Sequence, residues 1–361
     1  MYAWSPLPRS LAATFRDAQS SKPRVRESAV GDLVRWASGG ERERCLRELE
    51  ALLGADPDLE VRAAAAIALA DAEATESVAQ LVAAAQHGPS RVRQMALVAL
   101  GEIAQPEEPR ALAAVRAGLD SELPALRFQA LVAAHRLFAD AALQPELERA
   151  LGDAEAKVRY VACRIIEERY FGSAGSSAPA ALLALLGDLL ADTDPAVALA
   201  AAIPLSRSGS ERARSALVSA LNRPSAAGQV EDEQAAIELC AELGLNAARP
   251  GLVARAWGGW LGSKSPLAFQ ARVALARLGD ERASAHILRG LSAWSRGTRT
   301  RAVAAAGQAR LEAARARLQQ MRGDERQADP EAVSEALQAL DLSREQPAFP
   351  QPPSALGKSR L

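Results

Sequence analysis

Apolar residues in this chain recur with a helical period, and the pattern returns along most of its length. From Val61 they fall at offsets 0, 4, 7 and 8, as Val61, Ala65, Ala68 and Leu69. From Val92 they fall at Val92, Ala96, Ala99 and Leu100. This spacing gathers side chains on one stripe of a helix. No long alternating stretch suggests strands. Asp56-Pro57, Asp194-Pro195, Ser265-Pro266 and Asp329-Pro330 are each expected to set a capping side chain before a proline at a first helical position. Gly54, Gly88, Gly152, Gly172, Gly209, Gly244 and Gly279 fall near expected helix ends.

The stripe belongs to a repeat. A Val/Leu-Arg step falls at Val25-Arg26, Val61-Arg62, Val92-Arg93, Leu126-Arg127 and Val158-Arg159. Degenerate copies start at Val197-Ala198, Glu231-Asp232, Leu267-Ala268 and Thr300-Arg301. Successive steps of 31 to 39 residues accommodate two short helices and two turns. The segment from Leu52 to Leu69 has a Leu-rich helix end, an Asp-Pro turn and then Val-Arg-x-x-Ala-x-x-Ala-Leu. It resembles the core of a HEAT repeat, and the shorter bacterial HEAT repeats, including those of the phycobilisome-lyase type, are nearest in pattern. The resemblance covers residues 9 to 341.

The resemblance implies an all-α fold, an α-α superhelix (HEAT-repeat solenoid) of about nine helix pairs. The pairs are expected at 9–37, 42–71, 75–103, 107–138, 144–170, 178–206, 210–243, 247–277 and 281–309, with a final hairpin at 310–341. One such pair cannot bury its apolar face alone, so stability comes from stacking neighbours. The resemblance also implies that the repeated arginines, Arg26, Arg62, Arg93, Arg127, Arg159 and Arg301, bond acidic residues in neighbouring turns as a structural ladder. Asp56, Asp58, Asp120, Asp153 and Asp194 are the candidate acceptors.

The ladder stops at Ala198, after the longest step in the series, and Gly172-Ser173-Ala174-Gly175-Ser176-Ser177 lies in that gap. Such composition reads as a flexible loop. The expected organisation is an N-terminal array over 1–171, a degenerate C-terminal array over 178–342 and a tail over 343–361. The tail holds Pro347, Pro350, Pro352 and Pro353 and is expected to be disordered.

Composition narrows the function. Hydrophobic residues make up 49% of 361, yet aromatics only 4%, which suits many thin helices in close contact. The 43 Lys+Arg nearly balance 44 Asp+Glu, which weighs against a dedicated nucleic-acid binder. No contiguous run of one sign suggests a charged tail or membrane anchor. Cys45, Cys163 and Cys240 are far apart, which fits a reducing cytoplasm, and no apolar run is long enough to span a membrane.

Candidate chemistry is sparse. His87, His135 and His286 are widely separated, and no His-Glu pair matches the metal site of HEAT-type hydroxylases. The stretch Gly258-Gly259-Trp260-Leu261-Gly262-Ser263-Lys264-Ser265 fails as a phosphate loop, because Ser263 separates Gly262 from Lys264 and no strand precedes it. No catalytic, cofactor-binding or metal residues are expected, and the chain reads as a non-enzyme.

In HEAT arrays the second helices line the concave surface. At offsets 2 and 9 large side chains gather in mid-array: Phe128, Tyr160 and Leu199, with His135 and Arg164 nearby. Aromatic and Arg residues are common binding anchors, so these five form the candidate partner-binding patch. The expected function is a cytoplasmic scaffold or adaptor binding another protein there. The alternatives are a HEAT-array enzyme or cofactor-attachment factor, bilin-lyase-like or DNA-glycosylase-like, and then a nucleic-acid-binding array. Trp257, Trp260 and Trp294 are expected to pack, with Trp257 and Trp260 as a secondary patch.

Overall fold

A computed structural model describes residues 9–106, 108–172, 178–223, 229–258 and 265–345. Among these residues all regular structure is helical. The chain divides into two compact units, Met1–Ser208 and Gly209–Leu361.

The first unit contains α1 (Leu11–Ala18), α2 (Pro23–Ala37), α3 (Arg42–Ala55), α4 (Leu59–Asp71), α5 (Val78–His87), α6 (Ser90–Ile103), α7 (Pro109–Leu119), α8 (Pro124–Leu137), α9 (Asp140–Leu151), α10 (Ala156–Phe171), α11 (Ala180–Leu189) and α12 (Pro195–Arg207). Odd and even members make successive pairs. The second helices lie side by side, α2 on α4 and onward to α12, while α3 meets α5, α5 meets α7 and α9 meets α11. The result is two helical layers with the core between them.

The core forms where the periodicity places it. Val61, Ala65 and Leu69 are fully buried and Ala68 nearly so; Val92, Ala96, Ala99 and Leu100 are all fully buried. Each such Leu or Val contributes about 1.5–3 kcal/mol. Small residues let the layers close: a Cβ on Gly118 of α7 would lie 2.8 Å from the Ala130 Cβ of α8. Asp58 caps α4 by accepting from the Glu60 and Val61 N–H groups, and Asp194 caps α12 by accepting from Ala196.

Helix boundaries follow the expected pairs closely, with one clear exception. The fifth pair begins at Asp140 rather than near 144, because Pro145 sits inside α9 instead of opening it. Pro145 has no N–H to donate to the Ala141 carbonyl.

The second unit contains α13 (Glu211–Leu221), α14 (Val230–Glu242), α15 (Arg249–Trp257), α16 (Ala268–Arg277), α17 (Glu281–Gly290), α18 (Arg296–Gln308), α19 (Arg315–Met321) and α20 (Pro330–Glu345). Its second helices also form a row, α14 on α16, α16 on α18 and α18 on α20. Helix ends here use the left-handed turn. Gly244 and Gly279 have φ of +67° and +83°, and the residue after each returns a bond to a carbonyl five residues back. Arg310 fills the same place at φ +51°, as Glu73 does at +50° after α4 in the first unit.

Residues 173–177 and 346–361, on which the expected loop and most of the expected tail fall, lie outside the described residues. Across the first of these gaps α10 still packs on α12 and α9 on α11. Cys45, Cys163 and Cys240 are buried. Burial pushes the Cys240 thiol up to about 12. Among the described residues no helix is long and apolar enough to cross a membrane.

Candidate functional site

The candidate face lies on α8, α10 and α12, three neighbouring second helices. Phe128 and His135 are two turns apart on α8, and Tyr160 and Arg164 one turn apart on α10, so each pair shares a helix face. All four are half-buried. Leu199 differs: at 9% exposure it belongs to the core, because α12 closes against α10 at that level. It is removed from the partner-binding patch.

One ion pair and one histidine–carboxylate contact complete the face. Arg164 Nη1 donates to Glu167 Oε2 at 2.6 Å, and His135 Nε2 lies 3.5 Å from Glu168 Oε2, linking α8 to α10. The buried His135 Nδ1 has no hydrogen-bond partner among the described residues. Beyond these residues opens a cleft of about 510 Å³ lined by Arg164, Glu167, Glu168, Phe171, Gly172 and Arg207. The cleft thus brings the Phe171 ring together with the Arg164 and Arg207 guanidiniums and the Glu167 and Glu168 carboxylates. Glu168, Phe171 and Arg207 were not anticipated; they follow His135 and Arg164 only once α10 and α12 are known to lie adjacent.

The arginine ladder is real in part. Arg127 Nε and Nη2 donate to Asp153 at 2.7 Å each, and its Nη1 caps the carbonyls of Ser121 and Glu122. Arg159 repeats this with Asp192 at 2.7 and 2.8 Å while its Nη1 takes the carbonyls of Asp153 and Ala154. Arg26 grips Asp56 at 2.7 and 2.6 Å and the Ser20 carbonyl at 2.8 Å. Each acceptor also takes the backbone N–H two residues on, from Asp58, Glu155 and Asp194. Asp192 replaces Asp194 as the acceptor, since Asp194 caps α12. Asp58 likewise caps α4, and Asp120 pairs with Arg149.

The acceptors obey one rule: each lies six residues before the fourth position of the following second helix. At that place the chain has His87 and Ser121 opposite Arg62 and Arg93. Those arginines therefore turn to the carbonyls of Leu53 and Ala85. Arg301 is exposed, and the ladder position of α18 is Arg299, which takes the carbonyls of Ala293, Trp294, Arg326 and Gln327. The two-residue correction arises because Thr298 stands where other repeats carry the anchoring Val.

Burial alone would raise the Asp56 and Asp153 carboxyls. The hydrogen bonds from Arg26 and Arg127 and from the backbone outweigh it and hold both below the usual carboxylate range. For Asp192 the Arg159 bond is the largest influence, and it too is held down.

Trp294 is fully exposed rather than packed, and Trp260 lies outside the described residues. Among the described residues no group of three or more His, Cys, Asp or Glu could hold a metal ion.

Comparison with known proteins bears on the fold. The family model described as HEAT repeats matches residues 46–136 and 143–230. No curated protein matches the chain. Among solved structures, the chain is similar to YibA of Escherichia coli, with 14% identity and a TM-score of 0.42, over 90% of this chain and 98% of that one. It is also similar to Kap121p bound to RanGTP and to Kap121p alone, with 16% and 14% identity and TM-scores of 0.49. Each of these matches covers 92% of this chain and 40% of that one, so the chain spans less than half of Kap121p.

Proposed function

Because the chain belongs to the HEAT-repeat family, we propose that it is a non-catalytic scaffold or adaptor that binds a partner protein on its second-helix face. The observation that carries this reading is the set of Phe128, Tyr160, His135 and Arg164 on adjacent helices, all half-buried, with Arg164 lining a charged cleft. Large aromatic rings left partly open on a repeat surface are the usual anchors of an interface. The polar groups around them supply orientation rather than reaction chemistry.

Capture from native lysate, with and without nuclease, tests the reading. The wild-type chain is expected to retain a protein partner after nuclease treatment. The Phe128→Ala, Tyr160→Ala and Arg164→Glu variants are expected to lose it while keeping the helical circular-dichroism signal and melting temperature. Undiminished capture by all three folded variants removes this face from the function.

A further inference from the structure

The net charge of −1 conceals a segregation. Residues 243–311 carry ten Arg and one Lys against only Asp280 and Glu281. The rest of the chain carries 32 Lys+Arg against 42 Asp+Glu, so a block of +9 is set in a remainder of −10. Three of the arginines in the block tie the fold together. Arg249 donates to the Leu278 carbonyl, Arg255 pairs with Glu233 and caps Leu221, and Arg299 takes the four carbonyls named above.

Arg272 and Arg282 are placed otherwise. Their guanidinium carbons lie 4.6 and 4.1 Å from the centroid of the Trp257 ring, and His286 meets the same ring edge-on at 5.5 Å. Arg272 is also pinned by two bonds to the Ala256 carbonyl, at 3.1 and 2.8 Å. Among the described residues no carboxylate forms an ion pair with either arginine. Asp280 faces its own helix end, accepting from the Ala283 N–H at 2.9 Å. Burial, together with the charge of Arg282, makes Arg272 a weaker base than usual. Two like charges thus lie against one ring with no counter-ion among the described residues, an arrangement that an arriving anion relieves. The ring contact favours this placement of both guanidiniums, and their planar forks match carboxylates two bonds at a time.

We propose that the Trp257–Arg272–Arg282 cluster of the second unit is a docking site for a short acidic segment of a partner protein, its Asp or Glu carboxylates pairing with the two guanidiniums. The proposal rests on the scaffold reading and names the chemistry of one partner contact. Charge favours a short peptide over nucleic acid, because a long polyphosphate extending past the block meets a chain of net negative charge. The Trp257 ring also has guanidiniums against it, whereas base stacking needs an open ring face.

Fluorescence anisotropy of a labelled oligoglutamate peptide with the full chain at low salt tests this, with a labelled single-stranded oligonucleotide in parallel. Binding is expected for the peptide, weakened about tenfold in Arg282→Glu and less in Arg282→Gln. It should be unchanged in Arg212→Glu, an exposed arginine outside the block. Melting temperatures confirm that each variant is folded. Absence of peptide binding, equal loss in Arg282→Glu and Arg212→Glu, or tighter binding of the oligonucleotide overturns the proposal. Such failure leaves lysate capture through Phe128 and Tyr160 untouched, so the two readings are separable.

Discussion

Asp153 links two repeats at once. Its carboxylate receives the fork of Arg127 at 2.7 Å on each oxygen, and its backbone carbonyl receives Arg159 Nη1 at 2.8 Å. Arg159 then grips Asp192. One bonded path therefore runs from α8 through the turn before α10 to the turn before α12. Apolar burial supplies most of the stability, while this path ties the turns of successive repeats together.

Asp153→Ala removes the acceptor and leaves a half-buried guanidinium without its carboxylate. It is expected to cost about 1–3 kcal/mol in chemical denaturation. Asp120→Ala, which breaks the exposed pair with Arg149, is expected to cost clearly less. Equal losses would mean that the ladder pair is no better than a surface contact.

Ser121→Asp tests the six-residue rule in the opposite direction. Ser121 occupies the acceptor place opposite Arg93, and its Oγ already accepts from the Leu123 N–H at 3.2 Å, as Asp153 accepts from Glu155. A carboxylate there should draw Arg93 from the Ala85 carbonyl and stabilise the first unit by about 0.2–1 kcal/mol. A lower melting temperature would show that the gap in the ladder is not a missing acceptor.

The ladder carboxyls also set an acid limit. All three are depressed in the folded state, so their stabilisation is present above the unfolded value of about 3.9. It is lost as pH falls from there through the depressed native values. The melting temperature of the wild type is expected to drop in that window. The Asp56→Asn, Asp153→Asn, Asp192→Asn triple variant should start lower and lose less. Parallel pH profiles would contradict the assignment.

Much of this architecture is legible in the sequence because alanine-rich helices with one Val-Arg step leave few alternative registers. Asp-Pro pairs fix the starts of α12 and α20, whereas Asp56-Pro57 and Ser265-Pro266 stand in the turns before α4 and α16, which begin at Leu59 and Ala268. The readings that failed did so for local reasons. Thr298 removes the apolar anchor that sets register in α18, so the sequence pattern points to Arg301 rather than Arg299. Pro145 can open a helix or sit inside one, and only packing decides. Asp192 and Asp194 are equally acidic, and the turn geometry alone separates acceptor from cap. At the candidate site, helical spacing places Phe128 and His135 on one face, but whether Leu199 faces outward depends on how closely α12 approaches α10. Nothing in the local pattern distinguishes the exposed Trp294 from a packed one.

Glu73→Gly should stabilise the chain. Glu73 holds φ at +50° after α4, a conformation that costs a residue with a side chain about 1–2 kcal/mol. Its carbonyl bonds to Arg42 and Thr75 involve only the backbone and persist in the variant. Allowing for the added freedom of glycine in the unfolded chain, the expected net gain is about 0.5–1 kcal/mol. A net loss would show that the exposed Glu73 side chain matters more than its backbone.

Hydrogen exchange of the full chain with and without its captured partner tests the central claim most directly. Binding on the second-helix face predicts slowed exchange concentrated in α8 and α10, at the turns carrying Phe128, His135, Tyr160 and Arg164. Protection confined to the first helices α7 and α9, or no protection in the first unit at all, would contradict it.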